Sequence, residues 1–160
     1  MSNIKKLDLI IWGATGFTGQ LVSQYINKTY SSTNLKWGIA GRNKEKIFSI
    51  AKKLKINGDR VFIAESKNLE SLIKLTSKTK VICTTVGPYA KLGTNLIEAC
   101  ISSGTDYCDI TGETQWIRRI IDKYHKLAEE KNIKVINSCG FDSIPCLLYT
   151  SPSPRDSDSS

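Results

Sequence analysis

Gly13, Gly16 and Gly19 stand three residues apart in Gly13-Ala14-Thr15-Gly16-Phe17-Thr18-Gly19, between a short apolar run and a helical repeat. Each position has a physical use. A glycine at the first permits a tight turn out of a strand, the second lets a phosphate approach bare backbone, and the third lets a following helix lie close to a sheet. Amides at the start of that helix have no internal partner, and the helix dipole favours negative charge there by about 0.3–1 kcal/mol. Thr15 and Thr18 add hydroxyl donors on either side of Phe17. The set suits a diphosphate bridge, so a dinucleotide is the expected ligand; a structural turn holding nothing is the alternative.

The end of the next apolar run chooses between coenzymes. Ala40-Gly41-Arg42-Asn43-Lys44 carries no carboxylate before Glu45. An acidic residue there would bind the ribose 2′-hydroxyl of NAD, whereas a guanidinium clamps a 2′-phosphate through two parallel hydrogen bonds. NADP is therefore expected over NAD, with Arg42 as the clamp and Asn43 as an added donor; an arginine merely solvated at the surface is the bland reading. Glu65 ends the third run, where it either touches the adenine or stays a plain exposed carboxylate. The fourth run leads into Thr85, Val86, Gly87 and Pro88, expected to cross the crevice and flank the nicotinamide.

These residues need elements to position them. Short apolar, β-branched runs at 7–12, 35–40, 60–64, 81–86, 107–110 and 134–137 read as strands buried on both faces. Helical periodicity separates them. Phe17, Leu21, Tyr25 and Ile26 share one face, as do Ile47, Ile50, Ala51 and Leu54; Leu69, Leu72 and Ile73 repeat the spacing, then Leu96, Ile97, Cys100 and Ile101. The longest helix is expected from Thr114 to about Lys131, apolar along Ile117, Ile120, Ile121, Tyr124, Leu127 and Ala128. Gly58, Gly104 and Asn132 mark helix stops. Sixfold strand–helix alternation predicts an α/β, Rossmann-type doubly wound sheet, mostly parallel, in the order 3-2-1-4-5-6.

The chain has 160 residues, 40% hydrophobic and 24% charged, which excludes a wholly disordered or collagen-like protein. Its charge of +8 comes from lysines on helix faces without a stacking platform of aromatics, so no nucleic-acid partner is expected. Five cysteines without a CxxC pair, and a single histidine, argue for reduced thiols in a cytoplasmic setting and for no metal site. No stretch approaches the roughly 20 apolar residues of a membrane span. Residues 1–145 are read as one dinucleotide-binding domain and 146–160 as a disordered tail. Cys146 to Asp156 reads as one frame of a sequencing-library adapter, so the natural chain is expected to depart near Pro145. An edge strand left without its continuation predicts poor solubility for the isolated piece.

The blocks IWGATGFTG, AGRNKEKI, TTVGPYAKLGTNLIEAC, GTDYCDITGE and GFDSIP, in this order, resemble the saccharopine dehydrogenase-like oxidoreductases over 7–145. The resemblance is to their NADP-binding N-terminal part, in the branch that includes the trans-acting enoyl reductases. It implies a nicotinamide-dependent oxidoreductase whose substrate domain follows GFDSIP, a small-molecule or lipid-related substrate, and association of the longer protein with lipid droplets or membranes. It places Gly13, Gly16, Gly19 and Arg42 on NADP. The substrate domain is missing from this sequence, so catalysis by the chain alone is not expected. A non-catalytic NADP sensor is the alternative.

Hydride chemistry belongs to the coenzyme, and the protein supplies orientation and a proton. Tyr89, Asp109, Glu113 and Asp142 lie near carboxyl ends of strands. Glu113 is expected to cap the long helix as readily as to face the crevice, and Tyr89 to pack beside Pro88 as readily as to give a proton. His125 is expected to play no catalytic part, and Cys139 alone among the thiols lies near the crevice. Tyr25, Tyr30, Tyr89, Tyr107 and Tyr124 all lack the lysine four residues later that short-chain dehydrogenases use.

Overall fold

The structure, a computed structural model, describes residues 5–140. Asp142, Cys146 and the tail at 146–160 lie outside the described residues. Six parallel strands form one sheet: β1 (Leu7–Trp12), β2 (Trp37–Gly41), β3 (Val61–Ile63), β4 (Thr79–Thr84), β5 (Asp106–Asp109) and β6 (Val135–Ile136). Their order is β3-β2-β1-β4-β5-β6, as the alternation predicts. Ile11 is in register with Ile39 on one side and Cys83 on the other.

The helices are α1 (Phe17–Thr29), α2 (Lys44–Leu54), α3 (Leu69–Thr76), α4 (Tyr89–Leu92), α5 (Thr94–Ser103) and α6 (Thr114–Glu130). Local chemistry sets their ends. The side-chain oxygens of Asn43 and Asn68 accept from the amides of Lys46 (2.8 Å) and Ser71 (3.0 Å), capping α2 and α3. Gly104 closes α5 at φ 64°, and Asn132 follows α6 at φ 52°. Lys55, not Gly58, turns the chain out of α2, at φ 55°; Gly58 instead opens a 3₁₀ turn, Gly58–Arg60.

Two helix faces differ from expectation. On α1, Phe17 (81% exposed), Leu21 (50%) and Tyr25 (61%) point to solvent. Gly19 and Ser23 meet the sheet instead, with Val22 and Ile26 packed beside them. The helix lies too close to β1 for large side chains, and the Ser23 hydroxyl donates back to the Gly19 carbonyl at 2.7 Å. On α6 the buried row is Trp116, Ile120, Tyr124 and Ala128, while Ile121 and Leu127 are exposed.

The two sides of the sheet are covered unequally. One core joins Ile10, Ile82 and Tyr107 of the sheet to α3, α5 and α6. The other joins Ile11, Trp37, Ile39 and Val61 to α1 and α2, and includes no residue of β4, β5 or β6. Because side chains alternate along a strand, Cys83, Cys108 and Ile136 point to that side, where Ile136 is 52% exposed.

Cys83 and Cys108 are register partners on this side. A hydrogen bond from Cys108 lowers the Cys83 thiol pKa and raises that of Cys108. Cys100 is fully buried, and burial pushes its pKa up; Cys139 is exposed. Of the four described thiols, a maleimide should label Cys139 first, Cys83 and Cys108 more slowly, and Cys100 only on unfolding. Peptide mapping showing native Cys100 labelled as fast as Cys139 would contradict this packing.

Candidate functional site

The turn after β1 is built from its glycines. Gly13 leaves the strand at φ 95°, a conformation that L side chains rarely adopt. Its amide and that of Ala14 both donate to the Ala40 carbonyl, at 3.0 and 3.3 Å. Gly16 then donates to the Gly13 carbonyl (2.9 Å) and precedes the first turn of α1. A Cβ at Gly19 would overlap the Gly13 carbonyl oxygen and sit 2.9 Å from Ala14 Cα, so Gly19 carries the close packing of helix on turn. A Cβ at Gly16 would meet only that same oxygen, at 3.4 Å.

The start of α1 is left open to a ligand. No side chain caps it, and its first turn holds no acidic residue. Its free amides and its dipole therefore favour an anion beside Gly16. The β4 loop is tied to the same turn: Thr85 donates its amide to the Trp12 carbonyl at 3.0 Å, and its hydroxyl lies 3.5 Å from the Gly13 carbonyl.

A hollow of ≈ 250 Å³ lies between these loops. Of the expected residues, Gly13, Thr15, Gly16, Arg42, Thr85, Val86 and Gly87 line it. Arg42 stands directly after β2, exposed, and makes no salt bridge among the described residues. Trp12, Gly41, Ser66 and Leu92 complete the wall and were not expected from sequence. Gly41 owes its place to the Thr15 side chain, which would lie 3.3 Å from an added Cβ.

The remaining expected residues stand outside the lining. Gly19 is behind the turn, and Phe17 and Thr18 are exposed on α1. Asn43 caps α2, and Pro88 precedes α4. Glu65 is exposed, with its neighbour Ser66 on the wall in its stead.

The acid–base candidates have structural roles. Glu113 does not cap α6 with its side chain; its two carboxylate oxygens accept from the amides of Tyr89 (2.6 Å) and Ala90 (2.9 Å), at the start of α4. Tyr89 is buried, stacks on Trp116 at 5.6 Å between centroids, and donates its hydroxyl to the Thr84 carbonyl at 3.2 Å. Burial pushes its pKa up to about 12, which suits a packing role and not proton transfer near neutrality.

Asp109, 1% exposed, receives four hydrogen bonds: from the Tyr107 hydroxyl (2.7 Å), the Asn137 amide group (2.7 Å) and the backbone N–H groups of Thr111 (3.1 Å) and Ser138 (3.0 Å). Burial raises the Tyr107 pKa, so that hydroxyl stays a donor. Cys139 is exposed with its pKa raised by partial burial, the opposite of an activated thiol. His125 is exposed on α6, beside a groove facing β6, three strands from β1. Among the described residues no group of three or more His, Cys, Asp or Glu is placed to hold a metal ion.

A doubly wound parallel sheet with an open helix start over a glycine turn defines a Rossmann-type nucleotide-binding domain. The chain belongs to the saccharopine dehydrogenase NADP binding domain family, which it matches over residues 9–136. It is 36% identical over 143 residues to the trans-acting enoyl reductases of Mycobacterium ulcerans and Mycobacterium tuberculosis, covering 88% of this chain and 34% of each relative. The chain thus spans about a third of the length of the curated relatives it matches.

Among solved structures, it is similar to apo saccharopine dehydrogenase (L-Glu forming) from Saccharomyces cerevisiae, with a TM-score of 0.69, 20% identity, and coverage of 89% of this chain and 29% of that one. It is also similar to the triphenylmethane reductase of Citrobacter sp. complexed with NADP(H), with a TM-score of 0.60, 20% identity, and coverage of 81% and 48%. These likenesses establish the fold. No described helix is long and apolar enough to cross a membrane.

Proposed function

We propose that the chain is the coenzyme-binding part of an NADPH-dependent reductase that acts on an activated carbon–carbon double bond, as the names of its mycobacterial relatives suggest. The observation that carries this is the open start of α1 beside Gly16, facing a hollow that also takes in Arg42 and the Thr85–Gly87 backbone. Gly16 and the first amides of α1 would hold the diphosphate, Arg42 the 2′-phosphate, Ser66 the adenosine edge, and Val86 and Gly87 the nicotinamide side. When bound, NADPH supplies a hydride. The chain's own residues bind and orient.

The reduction also needs a proton. Tyr89, Asp109 and Glu113 are all held in structural hydrogen bonds, which favours a proton donor outside 5–140, or a water molecule, over these three. A substrate-binding region, for a small or lipid-related substrate, would then sit on another part of a longer protein. A sensor is the second reading, since the same open helix start and hollow can hold NADP without any transfer following.

Titration of the full chain with NADPH and NADH tests the coenzyme assignment. Arg42→Ala should weaken NADPH binding by about 10- to 100-fold, the range for losing a charge-assisted pair, and leave NADH within about twofold. Equal losses for both would remove the 2′-phosphate clamp.

A further inference from the structure

A second hollow lies at the amino ends of the strands, opposite the glycine turn. Each of four neighbouring strands is directly preceded by a cation: Arg60 before β3, Lys36 before β2, Lys6 before β1 and Lys78 before β4. All four line one hollow of ≈ 400 Å³. Its apolar surface comes from Leu7, Leu35 and Phe62, and its one acidic lining residue is Asp59.

The carboxylates near these cations are few: Asp59 on the rim, and Asp8, whose field Lys36 also feels. None of the four forms a salt bridge among the described residues. Asp8, two residues after Lys6, is already engaged: it pairs with Lys80 at 2.7 Å and accepts from the Lys36 amide at 2.9 Å. Helix carboxyl ends also gather at this end of the sheet and favour cations in general. That preference does not explain one cation at the same position before each of four adjacent strands, around an apolar floor.

We propose that this hollow docks an extended acidic segment of a partner protein, with one apolar side chain seated against Leu7, Leu35 and Phe62. Neighbouring strands lie about 4.8 Å apart, so the row of cations runs roughly 14 Å. Same-face side chains of an extended peptide repeat every ~6.7 Å, which brings two or three carboxylates along that row. A free phosphate or a single-headed amphiphile reaches only part of it. A uniformly charged polymer would place charge over the apolar floor, which is unfavourable. A flat bilayer does not reach a recessed floor. The coenzyme hollow is at the other end of the sheet, so the two ligands do not compete.

The test is fluorescence polarisation of a labelled acidic hexapeptide carrying one central phenylalanine, with the full chain, in the absence and presence of saturating NADPH. Binding should be saturable and the same in both conditions. It should weaken by about tenfold or more between 50 and 300 mM salt. Replacing the phenylalanine by serine should weaken it about fivefold or more, as for an apolar group that leaves its pocket.

Lys36→Glu/Lys78→Glu should weaken it by about tenfold or more while the domain still melts cooperatively. Lys36→Gln/Lys78→Gln provides the same comparison if the charge reversal does not fold. Undiminished binding by the folded variant, or by the serine peptide, overturns the proposal. So does failure of the peptide to bind, or tighter retention of phosphatidylserine vesicles or polyphosphate than of the peptide.

Discussion

Gly19→Ala should destabilise the domain severely, whereas Gly16→Ala should fold normally and lose NADPH. The two glycines are three residues apart in one turn, and their surroundings separate their roles. An alanine methyl at Gly19 overlaps the Gly13 carbonyl oxygen, lies 2.7 Å from Gly13 carbonyl carbon and 2.9 Å from Ala14 Cα. All three atoms are backbone, so no side-chain rotation relieves the overlap. Either α1 moves off the sheet or the turn is rebuilt, a loss of about 3 kcal/mol or more from a total stability of ~5–15 kcal/mol. At Gly16 the methyl finds only one atom, at 3.4 Å, and the backbone φ of −78° suits alanine. There the methyl stands where the diphosphate would approach. Thermal melts with NADPH titrations decide the matter. A Gly19→Ala melt within a few degrees of the parent would refute the packing role, and full NADPH affinity in Gly16→Ala would refute the ligand role.

Asp109→Ala should destabilise the domain by about 3 kcal/mol or more, as expected when one acceptor is removed from a buried hydrogen-bond network and several donors lose their partner. Its carboxylate gathers four donors from both flanks of the β5 end, so truncation leaves the Tyr107 hydroxyl, the Asn137 amide group and two backbone N–H groups without their acceptor. Unpaired buried donors lose about 1–3 kcal/mol each, with water repairing part of the sum. Asp109→Asn retains one side-chain acceptor oxygen and should be milder. Urea denaturation measures both variants. A midpoint for Asp109→Ala equal to the parent's would mean that the network does not hold the β5 and β6 ends together.

Much of the fold was legible because its signals are local. Apolar runs followed by amphipathic repeats state the alternation, and the parallel order follows from right-handed crossovers. The core of α2, with Ile47, Ile50 and Ala51, follows its 3.6-residue period directly. The same period misleads on α1, where close approach selects small residues and leaves the larger apolar ones outside. Trp116 does not stand out on α6 because its packing partners, Tyr89 of α4 and Gly93 just after it, lie more than twenty residues earlier. The site divides in the same way. The glycine turn and Arg42 follow from short motifs, while Ser66 and Leu92 reach the hollow only through the tertiary arrangement of β3 and α4. Glu113 shows the limit most clearly: its carboxylate serves amides 23 and 24 residues away, and no spacing rule within α6 points there.

The unequal covering of the sheet has a mechanical consequence. Under β1, β2 and β3 the plate has a hydrophobic core on both sides; under β4, β5 and β6 the described residues supply a core on one side alone. A sandwiched slab bends less than one with a free surface. An adenosine over the first half would therefore have the stiffer bed, and a nicotinamide over the second half the more compliant one. Grip and aim would then be supported by different amounts of the same molecule.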